Sequence, residues 1–182
     1  MEEKLQSLRV FPEDWLGPMA LERHFGNDRP VEIDLGCGKG RFLLARARRH
    51  PDTNFLGIDR MLRRIRKVDN KARAAELENI RLLRVEGYYA VSHLLPPGGV
   101  AAYYVLFPDP WPKKRHHEHR LFNAAFIRAL HRTLIKGGLL HVATDHRPYF
   151  EEIHADLVES GLFEETETFV PDEEEQTDFE RY

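Results

Sequence analysis

VEIDLGCGKG, residues Val31 to Gly40, runs a short apolar segment into a glycine loop, and the loop opens directly onto a helical pattern, Arg41 to Arg49 (RFLLARARR). Val31 to Leu35 reads as a strand, since its apolar character is too continuous for a half-exposed one. Glycines at 36, 38 and 40 permit a tight turn and let a ligand approach the backbone closely. The spacing Gly-x-Gly-x-Gly departs from the dinucleotide form Gly-x-Gly-x-x-Gly and lacks the Gly-Lys-Ser/Thr of a P-loop. Taken alone, the loop is either a ligand cradle or a plain strand-to-helix turn.

Outward from this loop the same alternation repeats. Phe55 to Ile58, Ile80 to Val85, Val100 to Phe107 and Leu139 to Ala143 read as further strands. Between and after them lie helix candidates at Met61 to Leu77, Tyr88 to Leu95, Leu121 to Ile135 and Arg147 to Ser160. Strand and helix in strict alternation predict an α/β fold: a doubly wound, Rossmann-like and mostly parallel sheet with helices on both faces. Lys136-Gly137-Gly138 is expected to stop a helix just before a strand. Phe163 to Val170 offers an antiparallel edge strand, and Pro171 to Gln176 is polar and expected to be mobile.

With 182 residues and 42% hydrophobic content, the chain suits one domain, 1–182, with an N-terminal extension at 1–29 and a C-terminal tail at 171–182. No apolar run approaches membrane-spanning length, and the amino terminus lacks the apolar centre of a signal peptide. A lone cysteine, Cys37, excludes an internal disulfide framework. A cytoplasmic protein, monomeric or homodimeric, is expected. The net charge of −3 announces no nucleic-acid binder, but positive charge collects at Arg60 to Arg73 and Lys113 to Arg120 and negative charge at Glu164 to Glu175. Such blocks give either a basic docking face or ordinary solvated surface.

The second informative stretch is FPDPWPKKRHHEHR, Phe107 to Arg120. It places Asp109 at the carboxyl end of a strand, where open α/β sheets bind ligands. Pro108, Pro110 and Pro112 stiffen the backbone around Asp109 and Trp111. The following Lys113, Lys114 and Arg115 suit a polyanion, while His116, His117 and His119 have no spaced partner that would make a metal site. Trp111 either stacks on a base or packs under its own loop. Acids recur at the other strand ends: Glu32 and Asp34, then Asp59, then Glu86. Such a set suits a nucleoside-like ligand with a charged amine. S-adenosylmethionine carries an ammonium and a sulfonium and no phosphate, so it asks for carboxylates and close glycines. Asp59 fits the ribose hydroxyls and Glu32 the amino-acid end. Glu86 fits the adenine amine, or else serves as a helix amino-terminal acid.

The glycine loop, Asp59, FPDPW with its basic extension, Thr144-Asp145 and the terminal Thr177-Asp178-Phe179-Glu180 together resemble the tRNA (guanine-N7)-methyltransferase family. The resemblance spans nearly the whole chain in order, and its most specific parts are PDPWPKKRHH and the terminal tetrapeptide. It implies S-adenosylmethionine as donor and a guanine of the tRNA variable loop as acceptor. It implies cofactor contacts at Glu32, Asp59, Glu86 and Asp109, with Asp109 also the catalytic position, and these join Gly36, Gly38 and Gly40, which the loop itself offers to a cofactor. Substrate contacts are implied at Lys113, Asp145, Thr177, Asp178, Phe179 and Glu180. Asp145 alternatively caps the helix that begins near Pro148. Guanine N7 bears a lone pair and no proton, so Asp109 is expected to orient and to stabilise charge rather than to act as a base. Departures are Glu118 and His119 within the basic run, Asp178 where the family favours lysine, and the absence after Tyr182 of the family's last strand. The alternatives are a methyltransferase acting on another RNA or a small molecule, and a non-catalytic tRNA-binding relative. A nicotinamide oxidoreductase is disfavoured by the glycine spacing.

Overall fold

In the computed structural model, which describes residues 6–177, every strand joins one parallel sheet. Its strands are β1 (Arg9–Val10), β2 (Val31–Leu35), β3 (Asn54–Ile58), β4 (Ile80–Leu83), β5 (Val100–Leu106) and β6 (Leu134–Ala143), in the order β1-β4-β3-β2-β5-β6. The helices are α1 (Leu21–Phe25), α2 (Arg41–Arg49), α3 (Leu62–Ala74), α4 (Gly87–Tyr89), α5 (Ala124–Thr133) and α6 (Arg147–Ser160). From β2 the chain steps outward through β3 to β4, then returns to lay β5 on the other side of β2. That reversal makes the carboxyl ends of β2 and β5 the topological switch point, where α/β sheets open a crevice.

Strand alternation divides the core. Ile33, Leu35, Leu56, Ile58, Tyr103 and Val105 face α1, α5 and α6, whereas Phe55, Ile80 and Leu82 face α2 and α3 through Leu43, Ile65, Val68 and Ala72. Both faces of the central strands are therefore covered, which explains why their sequences read as continuous apolar runs.

Four expectations need correction. No strand forms at 163–170; the sheet's extra edge is β1, which pairs in parallel with β4, and Phe169 instead packs on Phe42 and Tyr104. The helix expected over 88–95 is the short α4 followed by a π turn at Ala90–Leu94, in which the Leu95 N–H bonds the Ala90 carbonyl at 3.0 Å. Widening that turn buries Ala90, Val91, Leu94 and Leu95 together. Lys136-Gly137-Gly138 does not stop the helix, which already ends at Thr133. It forms a bulge within β6, where Gly137 takes φ +75° and register slips between Val100 and Ala102. The tail over 171–176 is not a free polar end, because Glu175 is only 2% exposed. No helix among the described residues is long and apolar enough to cross a membrane.

Candidate methyl-donor and nucleic-acid site

The glycine loop is built by left-handed backbone. Gly36, Gly38 and Gly40 have φ of +89°, +54° and +75°, angles that side chains disfavour. They differ in what surrounds them. A Cβ at Gly40 would come within 2.7 Å of both Val68 methyls, so this glycine lets α3 pack on the start of α2. A Cβ at Gly36 would meet nothing within 4 Å, which leaves open space above the loop.

Two buried acids face that loop from the carboxyl edge. Asp59 accepts from the Gly38 N–H at 3.2 Å and the Met61 N–H at 2.7 Å, and Arg64 approaches it at 3.3 Å. It therefore braces the loop from the end of β3. Asp34, on β2, is 4% exposed; burial first, and the Asp59 charge second, push its pKa up to about 7. No described residue offers Asp34 a salt bridge. A buried carboxyl without a cation, next to a second acid, is a site suited to an incoming ammonium.

Glu32 shares a strand face with Asp34 but lies nearer the other end of β2. Arg46 of α2 sits 3.3 Å from it, and the Tyr104 hydroxyl donates to it at 2.9 Å. These partners engage the half-buried Glu32 carboxylate in a network between α2 and β5. Glu86 accepts from the Tyr88 and Tyr89 N–H groups, both at 2.9 Å, and so caps α4.

On the other side of the crevice, β5 delivers Phe107 with φ +53°, and its N–H bonds the Ala143 carbonyl of β6 at 2.7 Å. Asp109, Lys113 and Arg115 are exposed. Trp111, at φ +43°, lies with its ring centroid 5.0 Å from His119 and 5.8 Å from His116, packed under its own loop. The loop is anchored by the last residue of the basic run. Arg120 is 7% exposed, donates from Nε to the Pro110 carbonyl at 2.9 Å, pairs with Glu152 of α6 and stacks 4.8 Å from the Tyr149 ring centroid. Its charge is spent on holding the loop.

Asp145 is exposed at the end of β6, and it is not the cap of α6. His146 takes that role, its Nδ1 accepting from the Tyr149 N–H at 3.2 Å. Thr177 closes the described tail; Asp178, Phe179 and Glu180 lie outside the described residues. Beside the glycine loop, an open groove of about 510 Å³ is lined by Lys39, Arg41, Arg48 and Lys71, with Glu174 at its edge. Among the described residues no group of three or more His, Cys, Asp or Glu could hold a metal ion.

The glycine loop, Asp59, Asp109 and Asp145 thus come together at the sheet's carboxyl edge, while Glu32 lies further back along β2 and is engaged by Arg46 and Tyr104. In the sequence Asp34 is one of the strand-end acids suited to a charged amine, with no individual role marked for it; strand alternation puts it on the Glu32 face and closer to the loop. Arg120 and His146 carried no sequence signal for their anchoring roles.

Comparison with known proteins fits this geometry. Residues 28–181 match the family model described as "Putative methyltransferase". A tRNA (guanine-N(7)-)-methyltransferase of Bacillus licheniformis is 38% identical over 156 residues, covering 86% of this chain and 71% of that protein. One from Streptococcus thermophilus is 41% identical over 127 residues, 70% of this chain, and here the chain spans only 59% of the relative's length. Among solved structures, an aminoglycoside resistance methyltransferase superposes with a TM-score of 0.53 at 27% identity, covering 80% of this chain and 69% of that one. By its family match and by its identity to relatives, the chain belongs to the tRNA (guanine-N(7)-)-methyltransferase family.

Proposed function

We propose that this protein transfers a methyl group from S-adenosylmethionine to N7 of a guanine in the variable loop of tRNA, acting in the cytoplasm as a monomer or homodimer. The observation that carries the reading is the switch-point crevice itself. On one side stand a buried acid without a cation and a glycine loop with open space; on the other stands a proline-stiffened acid followed by exposed cations.

The residues fit the donor. Asp34 suits its ammonium, and the space above Gly36 admits a ligand to the backbone. Asp59 already orders the loop through the Gly38 N–H, and its carboxylate lies where ribose hydroxyls are held in related folds. Glu86 contributes by ordering the start of α4 next to the crevice. Bound there, the donor supplies a sulfonium methyl that a guanine lone pair can take without removal of a proton. Asp109 then has no proton to accept. Its carboxylate, fixed between Pro108 and Pro110, orients the base and offsets the positive charge that develops on it. Asp145, exposed and free of the capping task, is suited to accept from the N1–H and N2–H groups of guanine. Lys113 and Arg115 meet backbone phosphates, which fixes position without reading sequence. Thr177, with Asp178, Phe179 and Glu180 beyond it, completes the acceptor side.

Replacement of the loop acid tests this assignment. Asp109→Asn should lower methyl transfer to tRNA about 100-fold, the scale of losing one preorganised electrostatic contact. Full turnover with unchanged donor affinity would reject the role given to Asp109.

A further inference from the structure

The acidic tail is drawn onto α2 by charges that methyl transfer does not use. Glu175 has a side chain only 3% exposed, and Arg46 Nη1, Arg49 Nε and His50 Nε2 lie 3.5, 3.7 and 3.8 Å from its Oε1. A carboxylate this far out of water survives only with such compensation. Arg46 is itself shared. Its Nη2 lies 3.3 Å from Glu32 on β2 and donates to the Tyr104 hydroxyl of β5 at 2.9 Å, while Tyr104 donates to Glu32. Burial opposes the charge on Arg46, and Tyr104, Glu32 and Glu175 more than offset it.

The tail is held at two further points. Upstream, the Phe169 ring packs 5.5 Å from the Tyr104 centroid and 4.8 Å from His141, with the Arg46 guanidinium 5.5 Å from its own centroid. Downstream, Arg41 Nε donates to the Gln176 carbonyl at 2.7 Å. Arg41 is the first residue of α2 and follows Gly40 directly, so the chain leaves the clamp beside the glycine loop. The two strands joined through Arg46 end in the two halves of the site: β2 in the glycine loop and β5 in the Asp109 loop.

We propose that Glu175 is a positioning residue: by locking onto Arg46 it straps residues 169–177 across α2 and delivers Thr177 to the mouth of the glycine loop. Acceptor binding then depends on a carboxylate that touches neither donor nor acceptor. This inference rests on the methyltransferase reading for its consequence, though the strap itself does not.

Amide hydrogen exchange and steady-state kinetics on Glu175→Gln separate the two. Exchange over 169–177 should rise about tenfold while β2, β3 and β5 keep their protection, since the change removes a charged anchor from the tail alone. KM for tRNA should rise about tenfold with kcat and donor Kd nearly unchanged, and Glu175→Asp should restore much of the loss. A strap that stays protected in Glu175→Gln overturns the proposal, as does a donor affinity that falls in step with tRNA binding. If Glu175→Gln does not fold, Arg49→Gln with Asp172→Asn loosens the exposed end of the clamp, where these two residues pair. That variant should raise strap exchange about twofold, and no change overturns the proposal. Failure of the wild-type protein to methylate tRNA would count against the proposed function alone, and exchange would still decide the anchor.

Discussion

Burial and the neighbouring Asp59 charge set Asp34 apart from an ordinary carboxyl. With its native pKa raised to about 7 from the 3.8 ordinary for an aspartate, the folded protein keeps a proton that the unfolded chain has already released over that interval. The native state is favoured by this group below pH 4 and loses that advantage as pH rises toward 7. Asp34→Asn should therefore melt near the wild type at pH 4.5 and above it at pH 8, a comparison that thermal unfolding followed by circular dichroism makes directly. Donor affinity, read by calorimetry, should strengthen in the wild type as pH rises through 7 and stay weak and flat in the variant. The Asp34 and Glu32 pair also shows where sequence reading stops. Period-2 alternation puts both acids on one face of β2, yet only the fold brings Arg46 of α2 to Glu32 and leaves Asp34 for the crevice.

At the scale of elements, the loop from 107 to 120 divides one basic run into two jobs. Lys113 and Arg115 face solvent, so their joint reversal to glutamate should weaken tRNA binding and flatten the salt dependence by about 2 in slope, at roughly one phosphate contact each. Arg120 is buried and holds Pro110, so Arg120→Ala should cost about 2 kcal/mol in chemical denaturation and also slow methyl transfer by loosening Asp109. In sequence the three cations look alike, because burial against Tyr149 and Glu152 is a property of α6, which follows them in the chain. Strand and helix positions were legible for the same reason that long-range anchors were not. Val31 to Leu35, Arg41 to Arg49 and Arg147 to Ser160 fold over the stretches their periodicity marks. The tail at 163–170 has strand-like composition, but its aromatic Phe169 packs among Phe42, Tyr104 and His141 and no edge pairing forms there.

Across the whole molecule, strand order makes one crevice of parts distant in sequence. The reversal between β2 and β5 brings the Gly36 loop beside the Asp109 loop, and the tail returns over α2 to the same edge. An alternating α/β pattern implies such a switch point without saying which strands form it. A recombinant protein incubated with unmodified tRNA and labelled S-adenosylmethionine, followed by chain cleavage at N7-methylguanosine, tests the central claim most directly. Label incorporation with cleavage confined to the variable loop is the predicted result; normal donor binding with no label transferred to tRNA would contradict it.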